Sequence, residues 1–141
     1  MSMTLIESPS VTAGVSSEEF FHWMMDLAHL GPLMPEEYVQ QFKGEGEACT
    51  FSVKGGFSFS LRRIEAKPFR KIMLESQKPS PIRFNMEIRM DEINESSCKV
   101  QVYCHAELNP FMKMMVEQPL NGIFAGIVNA VEEQFPQASA G

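Results

Sequence analysis

Cysteine is scarce in this chain: Cys49, Cys98 and Cys104 make an odd set with no CxxC spacing. That argues against a disulfide framework and fits a reducing compartment. Cys98 and Cys104 share strand parity and would stand about 20 Å apart along one strand, too far for a bridge. All three read as small buried apolar residues. No apolar run approaches the length that spans a bilayer. No early segment joins a basic stretch, an apolar stretch and a small-residue cleavage site. The chain is therefore expected to be cytoplasmic, with no integral membrane association. Positive charge is also short: Lys and Arg number 12 against 18 Asp and Glu, a net charge of −6, which argues against nucleic acid as a partner.

Recognisable chemistry is lacking too. His22, His29 and His105 form neither an HxxxH nor an HExxH pair, so no metal is expected, and no cofactor motif is present. His105 shares parity with the polar residues of its strand and reads as a surface group, while His29 reads as a helix-end histidine. Gly44, Gly46, Gly55 and Gly56 lack the GxxxxGKS spacing and no helix follows them, so they read as hairpin turns. For an acid or base aimed inward, parity offers only Glu65, Ser52, Thr50 and Tyr38, each more simply exposed. No catalytic residue is assigned.

What the chain does have is 11 Met and 11 Phe in 141 residues. Methionine fills irregular space and adapts to variable partners, so this load suits either a deformable pocket or simply a Met-rich core. The length fits one domain spanning residues 1–141, large enough to bury roughly two thirds of its unfolded surface. No repeat or linker divides it, and residues 136–141 look like a disordered tail.

The order of elements follows from periodicity and punctuation. Thr4–Ala13 reads as a strand that Pro9 confines to an edge or a bend. Ser16 and Glu19 have capping-box spacing ahead of a helix over Glu18–Leu30, with Phe20, Trp23, Met24 and Leu27 on its buried face. Gly31-Pro32 should break it, and a short second helix should begin near Pro35. Period two then sets in. Phe42–Glu45 pairs with Ala48–Val53 around Gly44 and Gly46, and Gly55-Gly56 turns the chain into Phe57–Ala66. Lys67-Pro68 turns it into Lys71–Gln77, and a KPSP turn leads on. The basic residues Arg62, Arg63, Lys67, Arg70 and Lys71 alternate with apolar positions and read as a solvated outer face.

Two longer strands alternate cleanly. In residues 82–93, Ile82, Phe84, Met86, Ile88 and Met90 face one way, against Arg83, Asn85, Glu87, Arg89 and Asp91. In residues 98–108 the inner set is Cys98, Val100, Val102, Cys104, Ala106 and Leu108. Such alternation indicates antiparallel strands with one face wet. Asn109 then caps a long helix whose first residue is Pro110, where the missing N–H costs nothing. About 25 residues of helix run about 37 Å, enough to cross a small sheet. Pro119 should kink that helix, either to fit the sheet's curvature or to hinge the half from Phe111 to Glu117, and Gly122 and Gly126 soften the same region.

Helices gathered on one face of an antiparallel sheet define the α+β class. The expected architecture is a helix grip: a curved sheet of about six to seven strands around a long C-terminal helix, with two short helices after the first strand. This order, with VSSEEFFHWMMDLAHLGPLMP near the start and AELNPFMKMMVEQPL near the end, resembles the START-like, Bet v 1-like superfamily (SRPBCC). It is nearest in look to the bacterial branch grouped with polyketide cyclases and lipid carriers, and the likeness covers nearly the whole chain.

The resemblance implies a deep cavity for an apolar or amphipathic small molecule between the sheet and the last helix. It supplies no catalytic residues, because the superfamily has no universal catalytic motif. The expected lining is Phe51, Phe57, Phe59, Met86, Ile88 and Val102 from the sheet, Met112, Met115, Val116 and Leu120 from the long helix, and Trp23 from the first. The leading expectation is binding or carriage of a lipid, sterol, polyketide or aromatic by a monomer or homodimer. Two others stand beside it: a cyclase or aromatase acting on a polyketide-like substrate, and a protein-interaction module with a filled core.

Overall fold

The alternating segments pair into one antiparallel sheet of eight strands in the computed structural model, which describes residues 2–54, 56–78 and 80–137. The strands are β1 (Ser2–Glu7), β2 (Val11–Ala13), β3 (Val39–Glu45), β4 (Ala48–Val53), β5 (Phe57–Lys67), β6 (Lys71–Gln77), β7 (Phe84–Asn94) and β8 (Ser97–Leu108). Their order across the sheet is β1-β8-β7-β6-β5-β4-β3, with β2 also paired to β8. Gly55, Pro79 and most of the expected tail lie outside the described residues.

Pro9 does divide the first strand. The residues between β1 and β2 cannot continue a regular ladder, so Ser8 stitches the gap. Its backbone N–H donates to the Val102 carbonyl and its Oγ accepts from the Val102 N–H, both at 2.9 Å. Gln101 Nε2 donates to the Ser8 carbonyl at 2.7 Å.

Helix α1 (Ser17–Met24) begins where the capping box places it, with Ser16 Oγ accepting from the Glu19 N–H at 3.1 Å. It ends six residues earlier than expected. Asp26 is extended, and its carboxylate accepts from the N–H groups of Ala28 and Gly46 at 3.0 and 3.1 Å, which starts a separate 3-10 helix over Leu27–Leu33. The bend therefore falls at Asp26, and Gly31-Pro32 lies inside the 3-10 helix. Pro35 opens a single turn, its carbonyl accepting from Tyr38 and Val39, rather than a second helix. β3 starts at Val39, which puts Gly44 within the strand and leaves Gly46 to the turn.

Two outer-face expectations change. Arg63 is half-buried and donates to the carbonyl of Met25, the C-cap of α1, where a cation also meets the negative end of the helix dipole. Glu87 is on the outer face by parity yet only 3% exposed. Lys71 Nζ at 3.3 Å and Arg89 Nε at 2.9 Å enclose its carboxylate, and the Arg89 guanidinium lies 4.2 Å from the centre of the Tyr103 ring.

Helix α2 (Pro110–Gln134) runs 25 residues without interruption, and Asn109 Oδ1 accepts from the Met112 N–H at 2.8 Å. It packs against β1, β2, β8 and the 3-10 helix. Its buried face comprises Val116, Leu120, Ile123, Phe124, Ile127, Val128 and Val131, and in its first turn and a half only Met112 packs, half-buried, against the core. Gly122 and Gly126 form a groove for neighbours rather than a soft spot. The Tyr38 ring fills the place of a Gly122 side chain, and the Pro35 ring comes within 2.7 Å of where a Gly126 Cβ would be.

Candidate functional site

Because α2 leans toward β1, β2 and β8, the hairpin of β4 and β5 at the other side of the sheet meets only the helix's first half, and incompletely. A chamber of about 280 Å³ remains there. Val53, Lys54, Phe57 and Phe59 line it from the hairpin, and Met115, Val116, Pro119 and Leu120 from the helix. This volume is at the low end for a small-molecule site.

The wall is built from local pattern. Phe57 and Phe59 share a face of β5, and Phe59 sits in an aromatic run, stacked on Phe51 at 5.6 Å and meeting Phe84 edge-on at 5.7 Å. Phe42 extends the run beyond Phe51. From α2, Met115 and Val116 come from one turn and Pro119 and Leu120 from the next, a spacing that puts them along one side of the helix. Val116 and Leu120 are buried, whereas Met115 is 47% exposed and stands at the opening. Phe111 and Met114, at 69% and 83% exposed, continue an apolar surface outward from it. Pro119 offers no N–H to the Met115 carbonyl, so the helix wall is one hydrogen bond short where it meets the chamber.

Five of the expected lining residues thus meet: Phe57, Phe59, Met115, Val116 and Leu120. Phe51 lies behind Phe59. Met86, Ile88 and Val102 are sealed in the core, and Met112 is half-buried against it. Trp23 is elsewhere, stacked flat on His29 with ring centres 4.5 Å apart and meeting Phe135 edge-on at 4.9 Å. Val53, Lys54 and Pro119 were missed. Lys54 falls between the Ala48–Val53 strand and the Gly55-Gly56 turn, Pro119 reads as a kink that either fits the sheet or hinges the helix, and nothing local says that both also face a void.

Polar candidates sit outside the chamber. Glu65 lies 3.6 Å from Lys71 Nζ, Ser52 Oγ donates to Gln41 Oε1 at 3.3 Å, Thr50 is exposed, and Tyr38 packs on Gly122. His29 lies inside the 3-10 helix rather than at the end of α1 where it was expected, and its Nδ1 lies 2.6 Å from the Trp23 carbonyl in the last turn of α1. His22 is exposed and meets Phe69 edge-on. The thiols are not poised for nucleophilic work. Burial pushes Cys49 and Cys104 up to about 12 and Cys98 to about 11, the last also through Glu92 and Asp91. Among the described residues no group of three His, Cys, Asp or Glu is placed to hold a metal ion, and no helix is long and apolar enough to cross a membrane.

No family model and no curated protein matches the chain. Solved structures do. Norcoclaurine synthase from Thalictrum flavum superposes with a TM-score of 0.72 at 13% identity, covering 94% of each chain. A START superfamily protein from Mycobacterium smegmatis gives 0.69 at 13% identity over 93% of this chain and 96% of that one. The Zhui aromatase/cyclase from Streptomyces sp. R1128 gives 0.68 at 13% identity over 94% and 93%. At such identities the likeness is one of fold.

Proposed function

From the premise that this chain has the helix-grip fold of START-like, Bet v 1-like proteins, we propose that it binds or carries a small apolar or amphipathic molecule in the chamber between the β4–β5 hairpin and the first half of α2. The observation that supports this reading is an apolar space of about 280 Å³ walled by Phe57, Phe59, Val116 and Leu120 and opened at Met115. The fold neighbours include ligand-handling proteins, an aromatase/cyclase among them. Cyclase chemistry needs an acid or base aimed at the substrate, and Lys54 is the sole ionisable side chain among the described lining residues. Binding is the simpler use of such a space. A ligand too large for the chamber gains room when the first half of α2 lifts about Pro119. Three free buried thiols suit a reducing, cytoplasmic setting.

The test is ligand capture and its blockade. Extraction of the purified protein with mass spectrometry, and melting in the presence of lipids, sterols and aromatics, should yield a bound molecule that raises the melting temperature by mass action. Val116→Trp, which fills the chamber, should abolish that rise. An empty extract together with no shift across the panel overturns the reading.

A further inference from the structure

We propose that the chamber selects amphiphiles with a negatively charged head, alkyl or aryl carboxylates of about ten heavy atoms, and that Lys54 holds the head at the mouth. This inference rests on the binding reading above and adds the class of ligand. Seven of the eight lining residues, Lys54 apart, are apolar, so the chamber can distinguish the charge of a ligand only at that one position.

Three observations make Lys54 suited to it. It is exposed, so its ammonium is free to meet a head group at the mouth. It has no carboxylate within ion-pair distance among the described residues, whereas Lys71 pairs with Glu65 and Glu87, Arg62 with Glu47, and Lys113 with Glu117. Its place is fixed by the fold, because its backbone N–H donates to the Tyr38 carbonyl at 2.9 Å at the end of β4. The protein as a whole carries −6, which repels anions at a distance. An anion preference here must therefore come from a contact and not from the general field.

Size narrows the class. At about 30 Å³ for each water-sized unit, the chamber takes roughly nine or ten heavy atoms, an eight-carbon acid rather than a sterol. The apolar body supplies most of the affinity, about fourfold for each methylene buried. An exposed ion pair adds selectivity of about three- to fivefold.

Isothermal titration of octanoate, octanol and octylammonium at low salt into the full chain, Lys54→Met and Lys54→Glu separates the parts. The parent should bind octanoate about three- to fivefold tighter than octanol, and raising salt to about 0.5 M should shrink that margin. Lys54→Met should level the two ligands, and Lys54→Glu should turn the preference to octylammonium. The substituted side chain is exposed, so melting and Trp23 emission should match the parent. Equal binding of octanoate and octanol by the parent, or a preference that survives in Lys54→Met, overturns the head-group role while leaving the chamber as a binding site. If none of the three binds, this inference is overturned, and the binding reading stands or falls by the extraction and melting panel above.

Discussion

Gly122 sets two residue-level effects against each other. In a helix interior, Gly→Ala should gain about 1 kcal/mol from backbone entropy. Here the Tyr38 ring occupies the place a Cβ would take, and relieving that overlap costs about 1–3 kcal/mol. Gly122→Ala should therefore be destabilising in urea unfolding, and Tyr38→Ala in the same chain should restore the usual gain. A stabilised single variant would mean that the Tyr38–Gly122 contact does not hold in solution. Both residues stand out in the sequence as a tyrosine and a mid-helix glycine. Their meeting is tertiary, so the glycine read as a source of flexibility.

Asp26 gives a second residue-level outcome. Hydrogen bonds from the Ala28 and Gly46 N–H groups, in that order of weight, hold its carboxyl below the usual value of 3.8. The folded value is the lower one, so the stability it contributes is present in full above 3.8 and is lost as pH falls through the folded value. Asparagine is also a good cap but does not titrate. The difference in melting temperature between the parent and Asp26→Asn should therefore stay constant at neutral pH and shrink on acidification below 3.8. A difference that does not change with pH would mean the two backbone bonds are not made in solution.

Among the elements, those fixed by local chemistry were legible and those fixed by distant partners were not. The start of α2 is set by Asn109 and Pro110, and β6 by the turns on either side of it, and both lie where the residues place them. The end of α1 depends on Asp26 reaching Gly46 in another hairpin, which no local pattern reveals. Pro119 lies between these cases. It stands inside a helix that continues past it, so its effect is one missing bond to the Met115 carbonyl rather than a break. Pro119→Ala restores that bond. If the half from Phe111 to Glu117 is the gate, the variant should be more stable by about 1–3 kcal/mol and should exchange ligand more slowly in stopped-flow competition. Unchanged exchange rates with raised stability would assign the proline to fit alone.

At the scale of the whole molecule, alternation identifies which residues face inward but not which of them meet the helix and which meet space. That depends on the coil of the sheet and on where the last helix rests across it. Met86, Ile88 and Val102 end up sealed, while Phe57 and Phe59, inward by the same rule, face the chamber. The two environments should respond differently to the same kind of truncation. Met86→Ala opens a hole in packed core and should cost about 2–5 kcal/mol in urea unfolding. Phe57 is half-buried at a wall that already borders a void, so Phe57→Ala removes fewer contacts and should cost about 1–2 kcal/mol, below the range for a packed aromatic. Because that truncation widens the chamber, the alkyl chain length bound most tightly should move up by several carbons, whereas Met86→Ala should leave it where it was. Equal stability costs with no change in chain-length preference would mean that the space beside Phe57 is filled in solution and that the helix closes on the hairpin as it does on β8.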